Sequence, residues 1–201
     1  MVDDINKALA AAEDAKVHGW APKKVAYVGY CGLIDSAGVT RVCQNLNGAI
    51  NQQFDSIYLC ISSNGGYIGD GVFLFNHIRA LPIPVTIHNT GMVASIAATL
   101  FVAGETRYCS EHAIFMMHPV AVPAQAQMLA SAPLLSALES AKAEEERTEA
   151  ILRSRTKMPA DILSGRRTGD IYITPQLALD YGLVHEIREF SLPPGNQIFQ
   201  V

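Results

Sequence analysis

The sequence predicts an α/β fold built on a parallel sheet, and three observations predict it. Short runs rich in β-branched and aromatic residues alternate with longer segments of helical apolar spacing. The chain has 201 residues, 49% apolar and 17% charged, which suits one domain over 1–201 with a substantial core. No internal repeat and no linker divides it.

In chain order, residues 4–17 read as a short helix within a segment, 1–22, that stands apart from the rest. "KKVAYVGY" (23–30) and "SIYLCIS" (56–62) read as strands bounded by turn residues. Between them Val39, Val42, Leu46 and Ile50 recur at helical spacing, with Ser36 as the expected N-cap. A second helix is expected from Tyr67 to Leu81, with Ile68, Val72, Phe75 and Ile78 on one side. "PIPVTIH" (82–88) reads as a third strand, and 93–103 as a helix stopped by Gly104. "TRYC" (106–109) and "AIFMM" (113–117) are further short strands, followed by a long charged helix over 132–156. "DIYIT" (170–174) is the last strand; Thr174 then caps a helix with Pro175 at its first position and Gly182 at its end. Residues 189–201 read as a C-terminal tail.

Composition excludes several classes. The formal net charge is −4 and no basic run is present, which argues against nucleic acid as a partner. No charged residue lies between Arg79 and Glu105, but Pro82, Pro84, His88, Asn89 and Thr90 break that stretch into two short pieces, so a buried strand and helix are expected and not a membrane span. The N-terminus lacks the basic start and apolar run of a secretory signal. Cys31, Cys43, Cys60 and Cys109 form no CxxC pair, so neither zinc nor any other metal is expected, and they read as reduced cytosolic thiols.

Four polar features interrupt the apolar pattern. "SSNGGYIGDG" (62–71) places two adjacent glycines, Gly65 and Gly66, at a strand-to-helix junction, where backbone N–H groups can face a ligand closely. It is equally an ordinary turn, and it lacks both the Walker lysine and the GxGxxG spacing of a phosphate loop. Ser95, the one hydroxyl between Gly91 and Ala98, stands near a helix start, where developing negative charge is favoured; alone it is more simply a small packing residue. His118 ends an apolar strand at a sheet edge, and Asp170 precedes another strand; alone, each is more simply a satisfied edge or turn residue. Together they change the balance. A serine nucleophile needs a base, an acid that holds the base's tautomer, and donors for an oxyanion, and no cofactor.

The runs "SSNGG", "GMVASIAATLFVAG", "FMMHP" and "GDIYITPQLALDYGLV" resemble the proteolytic subunit family of the caseinolytic Clp protease over most of 24–188. There the corresponding motifs are "SPGG", "GxAASMGAxLLxAG", "MxHQP" and "DRFLSAxEAxxYGLVD". The resemblance implies a ClpP/crotonase-like ββα spiral with a protruding handle helix, the handle region covering about 120–157. It implies a serine endopeptidase with Ser95 as nucleophile, His118 as base and Asp170 as orienting acid, and with the N–H groups of Gly66 and Ile96 as the oxyanion hole. An extended peptide or unfolded protein would add a strand beside Gly65, Tyr67, Ile68 and Val120. It further implies a homo-oligomeric ring, stacked face to face around a chamber, and a cytoplasmic location.

The sequence departs from the family at four places. Asn64 stands where the family has proline, and Ile96 where it has methionine, which is harmless if only the backbone is used. "VAVPAQAQMLASAP" replaces the glycines that open the handle strand, and the first twenty residues do not resemble the family's axial-loop segment. Ring stacking and docking to an AAA+ unfoldase are therefore carried by family resemblance alone. Rival readings are a crotonase-fold acyl-CoA enzyme, which would use acids in place of the triad, and a catalytically silent ring subunit. A serine–lysine dyad is disfavoured because no lysine lies between Lys24 and Lys142.

Overall fold

The computed structural model describes residues 23–121 and 131–201. The helix expected over 4–17 and the stretch 122–130 of the handle region lie outside the described residues.

Strands β1 (Val25–Cys31), β2 (Ser56–Ser63) and β3 (Val85–Ala94) pair in parallel, β2 in the middle. Their centres are near-continuous apolar runs because helices cover the sheet. The crossovers are α1 (Ser36–Asn51) and α2 (Ile68–Ala80). Helix α1 buries Val39, Val42, Leu46 and Ala49, and α2 buries Val72, Leu74, Phe75 and Ile78. The cap of α1 is Asp35 and not Ser36: Asp35 Oδ1 accepts from Gly38 N at 2.7 Å, and Ser36 is already helical.

Strand β3 is longer than the sequence predicts and forks. Its first half, Thr86 to Asn89, pairs with β4 (Thr106–Cys109); its second half, Met92 to Ala94, pairs with β5 (Ile114–Met117). The helix expected over 93–103 is correspondingly shorter: α3 spans Ile96–Phe101 and is buried throughout. Antiparallel to β5 lies β6 (Ile171–Ile173). The long α4 (Ser131–Arg155) exposes Leu134, Leu135 and Leu138 and buries only Thr148, Glu149 and Leu152, so its N-terminal part stands off the body as a handle. A short α5 (Ala160–Gly165) follows, then α6 (Pro175–Asp180), capped by Thr174 with Pro175 at its start and ended at Gly182, φ +64°, as expected. Strand β7 (Glu186–Ile187) pairs with β4, and within the expected tail β8 (Ile198–Gln200) adds in parallel to β1. No helix among the described residues is long and apolar enough to cross a membrane. All four cysteines are free thiols.

Within β3 the fully buried His88 ring bridges Tyr58 and Ser110, with Tyr58 Oη at 2.7 Å from Nδ1 and Ser110 Oγ at 3.3 Å from Nε2. Burial lowers its pKa to about 4, against the attraction of Glu189. The folded value thus lies below the unfolded one, near 6.5. The fold then gives up stability as pH falls from about 6.5 toward 4, about 3 kcal/mol in all from this group. In His88→Gln, which keeps hydrogen-bonding capacity but does not titrate, urea midpoints should flatten over that pH window.

Candidate active site

The strand-to-helix junction between β3 and α3 consists of one residue, Ser95, at φ 56° and ψ −129°. Positive φ is costly for a residue with a Cβ and persists only where the surroundings enforce it. Here they do. Ser95 N donates to Met116 O on β5 at 2.8 Å, and Ser95 O accepts from Ala98 N at 3.0 Å. Sharp strand-to-helix turns of this kind present the nucleophile of many serine hydrolases, because they push the hydroxyl out of the sheet.

Gly65 and Gly66 lie against this turn. Gly65 has φ +99°, and a Cβ there would sit 2.6 Å from Ser95 Cβ and 2.9 Å from Ala94 O. The loop is laced to Ile34 on both sides: Ile34 N donates to Gly65 O, and Tyr67 N to Ile34 O, each at 2.8 Å. Among the described residues, the N–H groups of Gly66 and Ile96 donate to no backbone carbonyl, the latter because it opens α3.

A cavity of about 210 Å³ joins these parts. Ser95, His118, Gly66, Ile96, Ile68 and Val120 all line it. Gly65 is buried behind Ser95, and Tyr67 is exposed; neither lines the cavity. Thr99 of α3 lines it too, as do Thr148, Leu152 and Arg166, which the sequence reading missed because α4 and the end of α5 are brought in by tertiary packing alone.

His118 follows β5 and is partly exposed. Its Nδ1 lies 2.7 Å from Pro119 O. A carbonyl only accepts, so Nδ1 carries the proton, and in the neutral ring Nε2 holds the lone pair. Among the described residues His118 makes no hydrogen bond to Ser95 or Asp170. Asp170 is exposed and does not line the cavity. The β5–β6 ladder nevertheless ends one step short of it: the last pair is Met117 with Ile171, and continuing that register would bring His118 level with Asp170. Asp180, a second acid in the same region, is exposed on α6 and accepts from Gln176 Nε2 at 3.0 Å.

Behind the cavity, Arg166 is 6% exposed. Burial holds its guanidinium below the usual arginine range, opposed by the nearby Glu149 and Glu145. Among the described residues no group of three or more His, Cys, Asp or Glu side chains is placed to hold a metal ion.

Comparison with known proteins finds relatives over most of the chain. The Clp protease family model matches residues 24–190, a span that contains every candidate site residue. The ATP-dependent Clp protease proteolytic subunit 2 of Pseudomonas aeruginosa is 28% identical over 180 residues, covering 85% of this chain and 86% of that one. Proteolytic subunit 3 of Rhizobium johnstonii is 26% identical over 187 residues, covering 92% and 93%. Among solved structures, a point mutant of ClpP1 from Listeria monocytogenes superposes with a TM-score of 0.72 at 23% identity, covering 84% of this chain and 92% of that one, and so shares its fold. With the family model spanning 24–190, the chain belongs to the Clp protease family.

Proposed function

We propose that the chain is a serine endopeptidase that cleaves peptides or unfolded proteins, with Ser95 as nucleophile, His118 as base and Asp170 as orienting acid. The observation that carries this reading is Ser95, held at positive φ, in one cavity with His118 and with the N–H groups of Gly66 and Ile96. Nε2 of His118 takes the hydroxyl proton as Ser95 Oγ attacks the peptide carbonyl. The oxyanion that forms is met by the two free N–H groups. His118 then returns the proton to the leaving amine, and water releases the acyl group by the same steps in reverse.

Nδ1–H needs an acceptor throughout. Pro119 O supplies one in this structure, at 2.7 Å. Asp170, next to Ile171 where the β5–β6 ladder ends, would supply a charged one once the ring turns toward it, and a carboxylate stabilises the imidazolium better than a carbonyl does. Catalytic hydrogen bonds often tighten only when substrate binds.

We further propose assembly into a ring, stacked around a chamber, in the cytoplasm. Membership of the Clp protease family supports the assembly. The exposed leucines of α4 support it as well, and four free thiols fit a reducing compartment. An AAA+ unfoldase partner rests on the family alone.

A fluorophosphonate probe combined with size measurement tests the reading. The probe should label the wild type at Ser95, leave Ser95→Ala unlabelled, and ride on a species many times the mass of one chain. An unlabelled protein that forms large particles would instead be a silent ring subunit. Tight acyl-CoA binding without labelling would identify an acyl-CoA enzyme.

A further inference from the structure

A second hollow, of about 440 Å³, shares no lining residue with the Ser95 cavity. Three arginines meet in it: Arg79 from the end of α2, Arg107 from β4 and Arg155 from the end of α4. His185, Ser154 and Glu105 complete its wall. An adjoining hollow shares Arg107, Arg155 and His185 and adds Lys157. Glu105 is the one acid in either wall, although the whole chain carries a formal net charge of −4. The ion pairs among the described residues all join other side chains.

Arg107 is almost wholly buried. Its Nε donates to Leu183 O at 2.8 Å, Nη1 to Gly104 O at 3.0 Å, and Nη2 to Gly182 O at 3.0 Å and Arg155 O at 3.1 Å. These acceptors are all neutral carbonyls, which satisfy hydrogen bonds and leave the charge uncompensated. Burial first, then Arg155 and Arg79, lower the Arg107 pKa to about 10, so the arginines repel one another. Glu105 draws on Arg155, but burial and Arg79 outweigh it. Donors remain open. Arg155 is fixed by Nε on Val102 O at 3.1 Å and Nη2 on Gly104 O at 3.3 Å, which leaves both N–H groups of Nη1 open among the described residues. Arg79 is exposed. Arg107 N donates to His185 Nδ1 at 3.1 Å, so the neutral His185 ring carries its proton on Nε2, a further donor.

We propose that this hollow binds a phosphate-class oxyanion, either the free ion or the phosphoryl group of a small molecule, held by Arg79, Arg155 and Nε2 of His185 beside the buried charge of Arg107. A phosphate brings close to two negative charges and several acceptor oxygens, and its geometry matches a guanidinium fork. One carboxylate would balance one cation, as Glu105 already does, and leave the remaining arginines uncompensated. The carbonyls that fix Arg107 and Arg155 hold the cations in place before any ligand arrives, which lowers the ordering cost of binding. The proposal is independent of the peptidase reading, since no group of the Ser95 cavity takes part.

Isothermal titration of the full chain at fixed ionic strength tests it, with inorganic phosphate, glycerol 3-phosphate and acetate as probes. Phosphate or glycerol 3-phosphate should bind, and acetate about tenfold more weakly or worse. Arg79→Gln and Arg155→Gln should each raise the Kd of the bound phosphate probe by about tenfold, the effect of one charge-assisted hydrogen bond. Arg41→Gln is the control: Arg41 is exposed on α1 outside the hollow, and its loss should leave Kd unchanged. If Arg155→Gln does not fold, Arg79→Gln decides, because Arg79 lies on the surface. Tighter binding of phosphate identifies the free ion as ligand; tighter binding of glycerol 3-phosphate identifies a phosphoryl group on a larger molecule. Either supports the proposal. No binding of either phosphate probe, acetate bound as tightly, or equal effects of Arg79→Gln and Arg41→Gln overturns it. So does a hollow filled by a carboxylate from a second copy of the chain, in which case neither phosphate probe binds and Arg79→Glu changes the particle mass.

Discussion

Ser95→Ala is expected to lower peptide hydrolysis by about 10⁴-fold or more, leaving only what binding and the oxyanion donors provide. His118→Ala should cost about as much, because nucleophile and base act as one unit and removing either disables both. Asp170→Asn is expected to cost less than either. The proton on Nδ1 of His118 already has an acceptor in Pro119 O, so loss of the carboxylate removes charge stabilisation without inverting the tautomer. Steady-state kcat on a fluorogenic peptide, measured for the three variants side by side, checks this order. Full activity in Ser95→Ala would remove the serine mechanism altogether. Equal losses in all three would mean that Pro119 O plays no such part.

Gly66→Ala should damage both stability and catalysis. A Cβ at Gly66 would lie 2.1 Å from Ile34 O and 2.8 Å from Ile34 C, in backbone that is itself fully buried, and φ there is +154°. Relief requires moving the loop, and the loop is tied to Ile34 by the two hydrogen bonds on either side of the contact. The expected loss of stability is about 2 kcal/mol or more. Displacing the Gly66 N–H from the oxyanion position should lower kcat by about 10²-fold to 10³-fold. Gly69→Ala is the matched control. It lies in α2, a Cβ there meets nothing within 4 Å, and alanine favours helix, so stability should hold or rise. Denaturant melts and kcat for the pair give the comparison; a Gly66→Ala protein indistinguishable from wild type would contradict both the packing and the donor assignment.

The sequence announces the sheet more clearly than the site. Apolar runs and helical spacing locate β1, β2, α1 and α2 within a few residues, because each buries its own local pattern, while charge and capping signals locate α4 and α6. The errors have physical causes. His88, Asn89 and Thr90 read as a break, yet β3 runs through them. The buried Asn89 side chain supplies the missing local satisfaction: its Nδ2 donates to Ile114 O, and its Oδ1 accepts from Gly91 N, each at 3.0 Å. That continuation is what sets Ser95 at a turn and not inside a helix. Nothing about serine forecasts positive φ; the constraint comes from Gly65 and from Met116, far away in sequence. Motif resemblance names Ser95, His118 and Asp170, but only the fork of β3 explains how β5 carries His118 to the serine. Arg166 gives no signal at all in the sequence as a cavity residue, since its place in the wall depends on its bonds to α4 after α5.

Strand β8 has a consequence far from the Ser95 cavity. It lies along the outer side of β1, with Val201 N donating to Gly29 O at 2.9 Å, and the Gln200 side chain fills the space that the missing Cβ of Gly29 leaves open. Without it, β1 would present a row of bare N–H and C=O groups, a template on which a strand from any other chain could grow. Residues 198–200 thus act as a built-in guard of the β1 edge against edge-to-edge aggregation.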